Sequence, residues 1–396
     1  MYIENGLFTS ECVTPGHPDK VCDAVSDAIL TECLKGDKHS RVACECLIGA
    51  ETLHIMGEIT TKANVDYEKV ARDTVSGLGY NSWETGFDAW MSNVIVDINT
   101  QSPDIAMGVD NDGAGDQGMV FGFASNETGY YLPLSYILAV KLCEQLDDLR
   151  NISGNDWLRP DGKSQVTVEY KNGKVVGIDT IVVSCQHRPD ISIELVREKV
   201  LEKVIIPVLE REVPGIKVED IKHIYINPTG RFVIGGPTGD TGLTGRKIIV
   251  DTYGGHGRHG GGAFSGKDGT KVDRSGAYMA RKVAKDIVVN KLADVCEVQV
   301  SYAIGVAKPV SICVNTYGTV NNISDANLAK FISNKYDFTP KGMIESLRLK
   351  TTDFNNVAAL GHFTKAYLPW EKVTKYEKDE LKDYIDIIDE HGWEGK

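Results

Sequence analysis

Residues Pro228–Asp273 read PTGRFVIGGPTGDTGLTGRKIIVDTYGGHGRHGGGAFSGKDGTKVD. Glycine is far above its ordinary share here, and Arg231, Arg246, Lys247, Lys267 and Lys271 are threaded among the glycines. Glycines let a backbone pass close to a ligand and adopt positive φ without steric cost. Cations suit phosphate oxygens, and exposed backbone N–H groups add donors. Such a stretch loses more chain entropy on ordering than a packed one, so it reads as a binding segment rather than a core element.

Working outward, helical and strand signals alternate. Residues 18–35 predict a helix: Pro18 suits the first helical position, Asp19 the positive N-terminal end, and Gly36 the stop. Residues 41–48 and 52–60 predict strands joined by a short connection, 66–77 a helix and 93–98 a strand. MVFGFA, at 119–124, predicts a strand and 132–149 a helix. Strands at 164–171 and 174–184 flank Asn172-Gly173, a strong hairpin signal. Helices are expected at 191–212, 273–292, 325–334 and 341–347, and strands at 223–227, 247–252, 296–304 and 309–316. The charged stretch 370–396 reads as a surface helix with a loose tail. Mixed strands and helices with an Asn-Gly hairpin argue for α+β layers, not a parallel doubly wound sheet.

Three local matches mislead. Residues 113–118, GAGDQG, fit GxGxxG, but a polar loop precedes them and a strand follows, the reverse of a dinucleotide site. Residues 261–267, GGAFSGK, fit GxxxxGK, yet Asp268 stands where a P-loop needs Ser or Thr. His256 and His259 have no Cys or Glu at zinc spacing and read as non-ligands.

The chain has 396 residues, enough for two or three domains. Its hydrophobic and charged shares, 42% and 25%, are those of a globular protein. No run approaches the roughly 18 apolar residues of a membrane span, and MYIENGLFTSEC lacks the pattern of a secretory signal. Neither membrane insertion nor secretion is expected; a cytoplasmic location is. Nine cysteines without a CxxC pair read as small buried residues in a reducing compartment. The net charge of −13 excludes broad nucleic-acid binding and makes the local basic cluster point to a small anion.

A series of ordered strings carries a resemblance: GHPDK (Gly16–Lys20), VACE (Val42–Glu45), GEITT (Gly57–Thr61), QSPDI (Gln101–Ile105), GAGDQG (Gly113–Gly118) and WLRPDGKSQVT (Trp157–Thr167). It continues with INPTGRFVIGGPTGD (Ile226–Asp240), GLTGRKIIVDTYGG (Gly242–Gly255), HGGGAFSGKD (His259–Asp268) and KVDRS (Lys271–Ser275). In this order, from Leu7 to about Trp370, the chain resembles the S-adenosylmethionine synthetases of bacterial and eukaryotic type. The resemblance implies ATP and L-methionine as substrates, and S-adenosylmethionine, phosphate and pyrophosphate as products. It implies two Mg2+ ions per site and K+. It implies three similar α+β domains about a pseudo-threefold axis, set by the sequence near 1–101, 112–231 and 232–396. It also implies a homodimer or homotetramer with active sites shared between subunits.

The residues fit that chemistry. The methionine sulfur is a neutral thioether that attacks C5′ of ATP, so no proton need be removed and no activated nucleophile is required. Catalysis then rests on alignment and on charge stabilisation at the departing triphosphate. By resemblance His17, at a helix N-terminus, contacts the triphosphate near the breaking bond. Asp161, Lys163, Arg231, Phe232, Asp240, Arg246, Lys247, Ala263 and Lys267 contact ATP, with the Phe232 ring offered to adenine. Glu58, Gln101, Asp240, Lys271 and Ile304 fall at methionine, with Ile105 an apolar contact there. Asp116 belongs to the catalytic set with His17, Lys163, Arg246, Lys247, Lys267 and Lys271. Asp19 and Asp273 are implied magnesium ligands and Glu45 the potassium ligand.

Two departures from the family pattern stand out. Pro15 replaces the usual Glu before GHPDK, although Glu11 remains. The loop between QSPDI and GAGDQG is only AMGVDND, shorter than in many bacterial relatives, and this predicts altered access and product release, which pre-steady-state kinetics reads directly. Two other classes stay open: an ATP-dependent kinase, which would leave ADP, and a non-catalytic nucleotide-binding homologue, which the presence of His17, Lys163 and Lys271 disfavours.

Overall fold

The computed structural model describes residues 2–100 and 113–385. The chain opens with β1 (Gly6–Val13), α1 (Pro18–Gly36), β2 (Arg41–Ile48), β3 (Thr52–Thr60), α2 (Tyr67–Gly77), the short β4 (Asn81–Ser82) and β5 (Phe87–Asp88), and β6 (Asn93–Asn99). Next come β7 (Gly118–Ser125), α3 (Leu134–Arg150), β8 (Leu158–Lys171), β9 (Lys174–His187), α4 (Ile193–Val200), α5 (Ile206–Glu212) and β10 (His223–Ile226). The remainder holds β11 (Gly242–Leu243), α6 (Ile248–Asp251), α7 (Val272–Val289), β12 (Val295–Tyr302), β13 (Ser311–Asn315), α8 (Asp325–Lys335), α9 (Pro340–Ser346) and α10 (Lys378–Leu381).

The fold is α+β, with three main sheets in the orders β1-β8-β9-β10, β11-β2-β3-β6 and β13-β12-β7. Each sheet takes one strand from a distant part of the chain. β1 pairs with β8 from Gly6↔Tyr170 to Val13↔Lys163, β11 pairs with β2, and β7 pairs with β12. One helix covers one face of each: α3 lies on β1 and β8, α1 on β2, and α7 on β7 and β12. The exchanged strands lock the three layers together around a continuous apolar core.

Local chemistry explains most elements. Asn172 and Gly173 both have positive φ, 50° and 73°, as the tight β8–β9 turn requires. In α1 the His17 side chain accepts the Asp19 N–H and Pro18 occupies the first turn. α1 is buried on almost every side, including its charged residues Asp19, Lys20, Asp23 and Asp27.

Four expectations need correction. β1 has no counterpart in the sequence-based elements: its inward residues include Ser10 and Cys12, so the alternation is weakly apolar. Residues 247–252 form not a strand but the single helical turn α6, because Asp251 is drawn inward to Lys20. A short β-branched run is compatible with either state. The 191–212 helix contains a π turn at Leu201–Ile205; Pro207 lacks an N–H and crowds the carbonyl four residues back. Within 370–385 there is only the 3-10 turn Pro369–Glu371 and the short α10, because Trp370 and Glu371 are anchored in the core. Residues 386–396 lie outside the described residues. No helix among the described residues is long and apolar enough to cross a membrane.

Candidate active site

The site is organised by the N-terminal end of α1. His17 is buried, and its Nδ1 accepts the Asp19 N–H at 3.2 Å, which leaves the ring proton on Nε2 as a donor. Burial, with the cations Lys247 and Lys163 nearby, holds its pKa down at about 3, so the ring is neutral at physiological pH. Asp19 Oδ1 accepts the Leu243 N–H at 2.9 Å and lies 3.7 Å from Arg246, while Oδ2 accepts from Lys247. Burial favours protonation of Asp19, but Lys247 and the Leu243 N–H outweigh it and keep the carboxylate ionised.

The glycine-rich segment is strung along one edge of β2. Gly242 and Leu243 pair with Ile48 and Leu47, and the Thr244 N–H donates to the Cys46 carbonyl. Farther along, Cys44 N–H donates to Gly266, Asp268 N–H donates to Val42, and Lys267 bridges to Ala43. Gly245 has φ +76° and faces Ala263 so closely that an added Cβ would lie 2.3 Å from the alanine Cβ. The two cationic arms, Arg246–Lys247 and Lys267, therefore flank one tight backbone crossing. Lys267 holds Asp273 at 2.6 Å and Lys271 holds Asp268 at 2.5 Å.

Lys163 projects from β8 into solvent, opposite Val13 and Ser184. Its charge acts on both His17 and Asp161. Asp161 is buried; its Oδ2 accepts the Gly236 N–H at 2.9 Å, while Oδ1 has no hydrogen-bond partner among the described residues. Burial raises its pKa to about 6 against the pull of Gly236 and Lys163, and the exposed Asp240 pushes the same way. Phe232 is half-buried, and its N–H donates to His187 Nε2 at 3.2 Å. Asp116 and Ile304 sit at one end of the third sheet, where Ala114 bridges to Ile304 and Gly118 approaches Asp273. Arg231 is exposed, as are Glu45 and Glu58, which share the open face of β2–β3. Gln101, Ile105 and the AMGVDND loop lie outside the described residues.

The misleading motifs resolve structurally. GAGDQG leads into β7 with no helix after it, and four residues separate Lys267 from the start of α7. His256 is buried against Phe8, with Nε2 3.0 Å from the Ser135 hydroxyl. Eight of the nine cysteines are buried; Cys313 is exposed. Cys44 and Cys46 share the inward face of β2.

The residues that sequence reasoning missed lie beneath the site. Lys20 is buried between Asp23 at 2.9 Å and Asp251 at 2.5 Å. Arg274 grips Asp27 through two nitrogens, at 2.6 and 2.9 Å, and donates to the Tyr278 hydroxyl. Asp23 accepts the Gly245 N–H at 2.8 Å and Asp27 the Gly266 N–H at 2.9 Å. The spacing 19, 23, 27 on a helix was the available signal, since it puts three carboxylates on one face.

A cavity of about 950 Å3 runs between α1 and α2 past Ala24, Ala28 and Lys69, and none of the candidate residues lines it. Of the candidate cations, Lys163, Arg231 and Arg246 are exposed, whereas Lys247, Lys267 and Lys271 are partly covered.

Fold and site together define an α+β protein in which glycine-rich backbone, a neutral histidine and converging cations surround a helix N-terminus. The comparisons make the class specific. Residues 5–103, 111–232 and 234–372 match the N-terminal, central and C-terminal domains of S-adenosylmethionine synthetase. The chain is 50% identical over 395 residues to an S-adenosylmethionine synthase of Clostridium tetani (strain Massachusetts / E88), covering 96% of this chain and 99% of that one. It is 51% identical over 395 residues to that of Clostridium botulinum (strain Alaska E43 / Type E3), with the same coverage. Identity to the Brachyspira hyodysenteriae (strain ATCC 49526 / WA1) synthase is 52% over 386 residues, 93% of this chain and 96% of the relative. The chain belongs to the S-adenosylmethionine synthetase family.

Proposed function

We propose that the protein transfers the adenosyl group of ATP to the sulfur of L-methionine and then hydrolyses the bound triphosphate to phosphate and pyrophosphate. A sulfur lone pair forms the S–C5′ bond as the C5′–O bond breaks. The departing electron pair stays on the triphosphate oxygen, and the product is a sulfonium. Negative charge therefore grows on the leaving oxygen, where cations and N–H donors act most strongly. His17 carries the reading: buried, neutral and flanked by Lys163 and Lys247, it offers Nε2–H to that oxygen without a proton transfer.

Arg246, Lys247 and Lys267 hold the phosphates, with Arg231 and Ala263 along the nucleotide. Phe232 stacks on adenine, and Asp161 and Asp240 orient the nucleoside. Glu58, Gln101, Lys271, Asp240 and Ile304 serve methionine, and Asp116 completes the set. The carboxylates of Asp19 and Asp273 are hard oxygen donors, each already gripped by a lysine. Among the described residues no group of three or more metal-binding side chains gathers, which fits an ion held by one or two carboxylates plus phosphate oxygens. Bound there, Mg2+ would neutralise phosphate charge; Glu45 would serve K+. Three units near 1–101, 112–231 and 232–396, a cytoplasmic location and a homodimer or homotetramer complete the proposal. The exposure of Lys163, Arg231 and Arg246 on the single chain supports sharing between subunits, so dilution to monomers should abolish activity; a fully active monomer refutes that arrangement.

Product analysis tests the reading. ATP and methionine should give a sulfonium, phosphate and pyrophosphate without ADP. Formation of ADP would make the protein a kinase.

A further inference from the structure

We propose that Asp23 and Asp27 are positioning residues that fix the spacing between the Arg246–Lys247 arm and the Lys267 arm; this rests on the polyphosphate reading above. Both carboxylates lie on the face of α1 that carries Asp19. Each holds two things at once: a buried cation and one backbone N–H of the glycine-rich segment. Asp23 takes Lys20 and the Gly245 N–H, immediately before Arg246. Asp27 takes Arg274 and the Gly266 N–H, immediately before Lys267.

Glycine backbone is the most permissive of all, so the local stiffness of the chain does little to set where the segment's cations stand. The β2 edge fixes it on one side through Thr244, Gly266 and Asp268. The helix fixes it on the other, with carboxylates one turn apart. Gly245 and Gly266 both have positive φ, and an added Cβ would lie 2.3 Å from Ala263 in the first case and 1.9 Å from the Cys44 carbonyl in the second. A rigid helix thus transmits its repeat to two otherwise flexible arms. The buried cations Lys20 and Arg274 bind the two carboxylates and orient them towards the N–H groups they accept.

The test separates the N–H acceptor from the ion pair. In the double variant Lys20→Met/Asp23→Asn, the Lys20–Asp23 pair is gone and Asp251 has lost its lysine, but an amide oxygen still accepts from Gly245. In Lys20→Met/Asp23→Leu, that acceptor is gone as well. Replacing buried ion pairs by apolar side chains is often tolerated, so thermal unfolding is used to select conditions where both are folded. The readout is affinity for inorganic tripolyphosphate, by calorimetry, beside the KM for methionine. The Asn variant should bind tripolyphosphate within about threefold of the parent, whereas the Leu variant should bind roughly tenfold or more weakly, the cost of one lost hydrogen bond, with methionine KM unchanged. Equal affinity in the two variants overturns the positioning role. The matched pair Arg274→Met/Asp27→Asn and Arg274→Met/Asp27→Leu, read the same way at Gly266, stands in if either Lys20 double variant does not fold. A parent protein that does not bind tripolyphosphate overturns the polyphosphate reading itself, and the positioning role with it.

Discussion

Replacing Lys163 by Met tests the electrostatic account where it can be measured twice. Lys163 stands exposed on β8, and its charge depresses His17 and Asp161 together. Methionine keeps most of the stem and removes the charge. A hydrogen bond to a charged group contributes about 1.5–3 kcal/mol, and each 1.4 kcal/mol is a factor of ten in rate, so kcat should fall roughly 10- to 100-fold. The loss belongs in kcat because charge on the leaving oxygen develops only as the bond breaks. Methionine KM should hardly move. Stability should change by less than about 0.5 kcal/mol, because the side chain is solvent-exposed. Asp161, raised to about 6 with Lys163 present, should titrate higher without it. The assay is initial-rate detection of the sulfonium at saturating substrates, paired with carboxyl NMR titration. A kcat within twofold of the parent, alongside the expected Asp161 shift, would refute the assignment: the charge would be felt at the site and yet not be used.

Other perturbations reach other parts of the account. The pKa of Asp161 rises on folding from 3.8 to about 6, so the folded chain keeps a proton that the unfolded chain has lost, and stability falls as pH rises from 4 to 6. Asp161→Asn should remove that slope and stabilise the protein at pH 7.5 by on the order of 1–3 kcal/mol; denaturant titrations with an unchanged slope would count against it. Arg281→Met should cost about 3–5 kcal/mol, because it leaves Glu371 buried without its bidentate partner and frees the carbonyls of Phe123 and Tyr131. Urea unfolding with a change below about 1 kcal/mol would contradict this. Asp19→Asn should raise the magnesium concentration for half-maximal rate roughly tenfold or more, equivalent to about 1.4 kcal/mol; an unaltered titration would remove Asp19 from the metal.

What could be read from the sequence was what short range determines. Pro18 and Gly36 bracket α1, and Asn172-Gly173 sets the β8–β9 turn, because both signals act within a few residues. The anionic character of the ligand was legible in glycines interleaved with Arg246, Lys247 and Lys267. β1 was not, since Ser10 and Cys12 stand where apolar residues would have marked its inward face. Nor was the role of Asp23 or Asp27. Each meets its loop across more than 200 residues of chain, at Gly245 and Gly266. The four-residue spacing fixes a common face but not what that face meets. The helix at 248–251 was hidden for a similar reason: a β-branched run turned inward by the distant Lys20.

The central claim is a single direct displacement at C5′ with cations holding the leaving group. ATP made chiral by one deuterium at C5′ tests it most directly. The account predicts a sulfonium product with inverted configuration at that carbon. Retention would require an intermediate attached to the protein, and would contradict a mechanism in which no side chain acts as nucleophile.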